Sequence, residues 1–205
     1  MDNSTTTAQP NHILPSLLEG AQELLGLENM QQVLNQVLEP HSDSLAQFAR
    51  DDSPLSYAGL PSALEKRYGP QGGHGLAQRI GRSAFKYLLQ RNGDSLGLTS
   101  VDFRLQREPQ RMKAGLHLLA GQMASDCKDR ITVSDTGTHW VWHSERCPVC
   151  WGRQASDVSC YLTVGLIQEF FAWAGSGRFY RVIENECRAS GAAACTFWIE
   201  KKPLD

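Results

Sequence analysis

Apolar side chains in the first half of the chain recur every three to four residues, the spacing of one face of an α-helix. This pattern predicts helices over 17–25, 27–38, 62–68, 75–91 and 109–125. Gly26 separates the first two, and Pro40 ends the second because proline cannot continue a helix. Residues 1–12 are polar and without period, which predicts a disordered tail.

The pattern changes period after residue 130. Residues 130–134 and 139–144 alternate apolar and polar side chains around Asp135-Thr136-Gly137, which predicts a β-hairpin. Helical spacing returns over 158–174, and strands are predicted over 179–184 and 196–200. Helices followed by an antiparallel sheet packed on helices define an α+β fold, and we predict a single domain over 13–205.

Composition narrows the class of protein. The formal net charge is −2 and no basic stripe is present, so nucleic acid is not an expected partner. No apolar run approaches the roughly 20 residues that span a bilayer. The first residues do not resemble a secretory signal, so we predict a cytoplasmic protein. In that reducing compartment the six cysteines are expected to be thiols, and clustered thiols favour metal binding over disulfides.

Four residues near the C-terminus suggest a metal site. Three thiols and a carboxylate form a plausible tetrahedral shell for Zn²⁺, and the candidates are Cys160, Glu184, Cys187 and Cys195. Strict strand alternation would place Glu184 and Cys187 on opposite faces, so a bulge or turn must redirect one of them. The plainer alternative is that the three cysteines are buried apolar residues.

Cys147 and Cys150 form a CxxC pair that supplies a rival shell together with Cys187 and Cys195. Redox catalysis is disfavoured because the pair follows a predicted hairpin strand and does not open the helix of a βαβ unit. Cys127 follows a helix end alone and is predicted to be structural.

Aromatic residues suggest a small-molecule pocket. Trp140 and Trp142 share one face of a predicted strand, and His143 lies on the other. With aromatic side chains from the helices they could line an apolar cavity; these are Phe85, Tyr87, Phe170 and Phe171. The alternative is that they pack the core. Gly72-Gly73-His74-Gly75 is interpreted as a flexible approach to a helix.

The motifs in 145–152, 160–166 and 184–189, with Gly191, Cys195 and Phe197, resemble the 4-vinyl reductase domain family. The resemblance covers residue 15 to the C-terminus and implies the fold shared with TRAPP vesicle-tethering subunits. In the phenol sensors of that family a helix cysteine and Glu-x-x-Cys-x₇-Cys bind zinc, which implies zinc at Cys160, Glu184, Cys187 and Cys195. It also implies a homodimer, for which 17–38 offers an apolar face; the alternative is that this face covers the domain's own core.

The resulting functional hypothesis is a zinc-containing, non-catalytic module that senses or carries a hydrophobic aromatic, tetrapyrrole or acyl ligand. The alternative is an accessory protein or reductase in (bacterio)chlorophyll vinyl-group reduction. The residues do not favour a reductase, because the chain has no dinucleotide fingerprint and no iron–sulfur spacing.

Overall fold

The computed structural model describes residues 13–35 and 54–204. Two short helices open the chain: α1 (Ile13–Leu25) and α2 (Leu27–Leu34). Gly26 joins them with φ +74°, a backbone conformation that favours glycine. The predicted tail over 1–12 and the predicted helix end at Pro40 lie outside the described residues.

The apolar face of α1 and α2 is buried in the chain's own core. Leu17, Ala21, Met30 and Val33 are all inaccessible to solvent, and α1 packs along α3 (Pro54–Asn92). The face that we expected to serve dimerisation therefore covers this domain, and the homodimer stays a prediction.

α3 consists of two helical segments that meet at Gly69, where φ is +75°. Pro70 follows at the start of the second segment, a position that proline tolerates because the missing N–H has no helical partner there. The first helical segment ends at Gly69 as predicted, and the chain changes direction there and continues as the second segment. The glycine-rich stretch 72–75, which we expected to be flexible, is helical.

Two further helices complete the first half: α4 (Val101–Leu105) and α5 (Glu108–Cys127). The sequence pattern did not predict α4, which is a single turn. Its signal is the cap at Ser100, whose hydroxyl oxygen accepts a hydrogen bond of 3.2 Å from the Phe103 N–H.

The second half forms a four-stranded antiparallel sheet in the order β1-β2-β4-β3. The strands are β1 (Ile131–Asp135), β2 (His139–Ser144), β3 (Tyr180–Glu186) and β4 (Cys195–Pro203). Trp142 pairs with Phe197 across β2 and β4, and Ser144 pairs with Cys195. The predicted α+β class, with helices first and an antiparallel sheet last, is confirmed.

Helix α6 (Tyr161–Ala174) lies in the centre of the molecule and packs on both α3 and the sheet. It approaches α3 closely because Gly81 and Gly165 face the opposing backbone. A Cβ built on Gly165 would lie 2.8 Å from the carbonyl carbon of Gln78, and one on Gly81 would lie 2.9 Å from the Leu166 nitrogen. This contact fixes α6, and the residue before it, Cys160, against the helical layer.

Within the described part of the chain, no helix combines the length and the apolar character that crossing a membrane requires.

Candidate metal centre

Five cysteines converge in the core from four separate segments. Cys147 precedes the 3-10 turn Pro148–Cys150, Cys150 ends that turn, and Cys160 immediately precedes α6. Cys187 follows β3, and Cys195 begins β4. All five are buried, and none forms a disulfide.

The sulfur atoms lie at distances that suit ligands of a common metal ion. Cys147 and Cys160 are 3.5 Å apart, and Cys150 and Cys195 are 3.4 Å apart. Cys160 lies 3.8 Å from both Cys187 and Cys195, and the latter two are 3.9 Å apart. With metal–sulfur bonds of about 2.3 Å, a regular tetrahedron separates its sulfurs by about 3.8 Å. The cysteines are therefore already spaced as a thiolate metal site requires.

Glu184 adds a carboxylate to this cluster. One oxygen, Oε2, accepts a hydrogen bond of 2.7 Å from the Cys160 N–H. The other, Oε1, is buried without a hydrogen-bond partner, and the residue is only 9% exposed. Burial raises the pKa of this carboxyl to about 8. An orphaned carboxylate oxygen in a buried site is costly unless an ion occupies the space beside it.

The strand geometry explains how Glu184 and Cys187 reach the same site. The register between β3 and β4 shifts between Glu184 and Glu186, which breaks the alternation of side chains at that point. Cys187 then lies beyond the strand, at the start of the 3-10 turn Arg188–Ser190. The Arg188 N–H donates a hydrogen bond of 3.3 Å to the Cys195 sulfur.

The thiols perturb one another strongly. Cys147 raises the pKa of Cys150, but hydrogen bonds with Cys160, Cys187 and Cys195 together lower it by more, to about 4. Hydrogen bonds with Cys150, Cys160 and Cys195 also lower the pKa of Cys147, whereas burial raises that of Cys160. The pKa of Cys187 is lowered as well, and that of Cys195 is raised by its neighbours Cys147 and Cys150. The lowered values at Cys147, Cys150 and Cys187 favour thiolate, the form that binds metals.

Two overlapping donor sets satisfy the geometry of a metal ligand shell. One is the set predicted from the sequence, Cys160, Glu184, Cys187 and Cys195; in the other, Cys147 and Cys150 join Cys160 and Cys195. Within each set the donor atoms lie within 4.8 Å of one another. The two shells that the sequence presented as rivals thus form one cluster. The CxxC pair is grouped with Cys160 and Cys195, whereas the sequence argument had grouped it with Cys187 and Cys195.

Arg153 anchors the segment between the CxxC pair and α6. Its side chain is 10% exposed and forms an ion pair with Glu65 on α3. It also donates hydrogen bonds to the carbonyl oxygens of Val149 and Ser159. This arginine was not identified from the sequence, because its partner on α3 is 88 residues away.

Cys127 lies outside the cluster as the last residue of α5. Burial raises the pKa of its thiol to about 12, so it remains a neutral thiol. It offers a matched control for the clustered cysteines.

Most of the aromatic residues predicted to bind a ligand fill the core. Phe85, Phe170, Phe171 and Trp142 are fully buried, and the ring of Phe170 packs edge-on against those of Phe85 and Phe171. Their predicted role as a cavity lining stays a prediction that their mutual packing does not favour.

The other three predicted ligand residues lie in three different environments. Tyr87 is half-buried under Lys86, and His143 is half-buried on the opposite face of the sheet from the paired tryptophans. Trp140 is buried and lines a cleft of about 400 Å³ with Tyr180 and other residues. The structure therefore does not bring the seven predicted residues into one site.

No family model matches this chain, and no curated protein matches it significantly. Its fold is similar to those of solved H-NOX domains. One is an H-NOX protein from S. oneidensis in an Fe(II)NO state, with 10% identity, a TM-score of 0.58 and coverage of 96% of this chain and 100% of that one.

Two further matches have similar statistics. An H-NOX mutant from K. algicida is 15% identical, with a TM-score of 0.56 and coverage of 95% and 97%. A third structure concerns the modulation of haem redox potential through protein-induced porphyrin distortion. It is 11% identical to this chain, with a TM-score of 0.54 and coverage of 96% of this chain and 97% of that one. At these identities the likeness establishes the fold.

These comparisons correct the expectations that came from the sequence resemblance. The assignment to the 4-vinyl reductase family was wrong, because the neighbours found are H-NOX domains and no family model matches. The expectations of bound zinc, hydrophobic-ligand sensing and vinyl reduction fall with it. The solved neighbours are iron and porphyrin proteins, and sulfur geometry alone does not identify zinc. The chain has an H-NOX-like fold that carries a buried cluster of five cysteines and a glutamate.

Proposed function

We propose that this protein is a non-catalytic sensory domain whose responsive group is a thiolate-bound metal centre. The observation that carries the proposal is the convergence of five buried sulfurs, with neighbouring contacts of 3.4 to 3.9 Å, from four segments of the chain. Cysteines that serve only as small apolar residues have no reason to face one another across four segments. Soft thiolate ligands select thiophilic metals.

Burial argues for a regulatory or structural centre over a catalytic one. A catalytic metal keeps a coordination position open to water or substrate, whereas this cluster lies in the core and offers enough protein ligands to close the shell. The cluster also joins the start of α6 to the facing ends of β3 and β4. Loss of the metal would free the start of α6 from the ends of β3 and β4.

Haem-based gas sensing is the second candidate, and the fold likeness alone favours it. A haem iron needs an axial ligand such as histidine, cysteine, tyrosine or methionine. None of the histidines within 13–35 and 54–204 is buried. His74, for example, pairs with Glu65 and stacks on Tyr161 at a ring separation of 4.3 Å.

The interior between the helices is also occupied by aromatic side chains. The rings of Phe103 and Trp173 stack 6.0 Å apart, and Phe85 lies 5.7 Å from Trp173. The buried thiols of the cluster face one another and not a planar cleft. Among the described residues no histidine is buried, and aromatic rings fill the space between the helices, so the proposal rests on the cysteine cluster and involves no haem.

Hydrogen–deuterium exchange before and after chelator treatment tests the proposal. If the centre is the responsive group, metal removal deprotects the first turn of α6 and the facing ends of β3 and β4, while α5 keeps its protection. Unchanged exchange in α6 after verified metal loss would refute a responsive role. A Soret band in protein expressed with a haem precursor would instead support the second candidate.

A further inference from the structure

The cluster contains more donors than one tetrahedral ion can use. Five sulfurs and one carboxylate converge, whereas a closed tetrahedral site takes four ligands. We propose that the centre holds two divalent thiophilic ions bridged by the thiolates of Cys160 and Cys195. This inference rests on the proposed metal centre and specifies how many ions it holds.

The two donor sets are related as two tetrahedra that share one edge. Cys147 and Cys150 are the terminal ligands of the first ion, and Glu184 and Cys187 are those of the second; the other two cysteines belong to both sets. The shared sulfurs, on Cys160 and Cys195, are 3.8 Å apart, which equals one tetrahedral edge.

The remaining sulfur–sulfur contacts within 4 Å are edges of the same two tetrahedra. On the side of the first ion, Cys147 lies 3.5 Å from Cys160, and Cys150 lies 3.4 Å from Cys195. On the side of the second, Cys187 lies 3.8 and 3.9 Å from the two shared sulfurs. In this arrangement each donor binds one ion, except that the sulfurs of Cys160 and Cys195 each bind both.

Glu184 supplies an independent observation for the second ion. Its Oε1 atom is buried and has no hydrogen-bond partner, while Oε2 is held by the Cys160 N–H at 2.7 Å. An ion at the first position alone would leave that oxygen orphaned. An ion at the second position gives it a ligand bond.

An iron–sulfur cluster does not suit the same spacing. In such clusters inorganic sulfides bridge the irons and hold thiolates on different irons further apart than thiolates on one ion. Here each of the five sulfurs lies 3.4 to 3.9 Å from at least one other, a separation that leaves no space for a sulfide between the two atoms.

Cobalt(II) substitution tests the inference. The full chain is stripped of metal under reducing conditions, dialysed against Co²⁺ and analysed for bound cobalt per chain. We expect two ions, thiolate-to-cobalt charge-transfer absorption, and an electron paramagnetic resonance signal weakened by coupling through the bridging thiolates.

Variants assign each ion to its donors. We expect Cys147→Ser/Cys150→Ser and Glu184→Gln/Cys187→Ser each to retain one cobalt, and Cys127→Ser to retain two. One cobalt per wild-type chain, or two without magnetic coupling, would overturn the bridged pair while leaving the metal centre intact. No bound cobalt would overturn both proposals, and because the wild-type stoichiometry decides the matter, a variant that fails to fold does not obscure it.

Discussion

Replacing Gly165 with alanine tests the helix contact that positions the start of α6. The added Cβ would lie 2.8 Å from the carbonyl carbon of Gln78 and 3.0 Å from the Arg82 nitrogen. Optimal carbon–carbon contacts are about 3.5–4.0 Å, so the opposing backbone must retreat by roughly 1 Å. Both atoms belong to the backbone of α3, and no rotamer change can relieve the clash.

The expected cost follows from this geometry. Overpacking a core costs about 1–3 kcal/mol, and a backbone clash places this site at the upper end. Alanine recovers up to about 1 kcal/mol of intrinsic helix propensity relative to glycine. The net loss in the free energy of unfolding is therefore about 2 kcal/mol, which lowers the urea midpoint by roughly 1 M.

Gly121→Ala is the matched control. Gly121 lies in α5, and a Cβ built there meets no atom within 4 Å. Urea unfolding followed by circular dichroism should show Gly121→Ala unchanged or slightly stabilised and Gly165→Ala clearly destabilised. Equal midpoints for the two variants would refute the close crossing of α3 and α6.

Two further predictions concern polar anchors. Arg153→Lys should lower the free energy of unfolding by about 1–3 kcal/mol, because lysine cannot reproduce the fork of hydrogen bonds made by this largely buried guanidinium. The same change at the exposed Arg130 should leave the thermal midpoint unaltered. Hydrogen bonds from Ser83 and Lys86 lower the pKa of Glu23 to about 2 from 4.5, so its stabilisation is present above pH 4.5 and is lost as the pH falls towards 2. Glu23→Gln should therefore flatten the acid dependence of the urea midpoint in that window, and an unaltered slope would contradict it.

The sequence predicted the order of helices and strands because the regularly spaced apolar residues are the ones buried on one face of each element. It failed where tertiary contact overrides local preference. Gly73, in the stretch expected to be flexible, is helical and faces the backbone of Glu65, where a Cβ would lie 2.6 Å from the Cα atom. There glycine serves close packing between the two segments of α3, which local propensity does not reveal.

The sequence singled out the six residues that cluster in the core, and their role as metal ligands stays a prediction. It treated the CxxC pair as a competitor of the Glu184 set, whereas the structure brings both into one cluster. The two sets meet because the turn Pro148–Cys150 packs on α3 and places the Cys147 sulfur 3.5 Å from that of Cys160, while Arg153 pairs with Glu65 on α3. This closure depends on contacts between residues far apart in sequence, which periodicity and spacing do not encode.

X-ray absorption spectroscopy of the protein as isolated tests the central claim most directly. Elemental analysis identifies the metal that co-purifies, and absorption at its edge then reports its ligands. The account predicts a first shell dominated by sulfur at about 2.3 Å, as expected of thiolates bound to a tetrahedral ion. Protein that carries no metal, or a shell of porphyrin nitrogen, would contradict it.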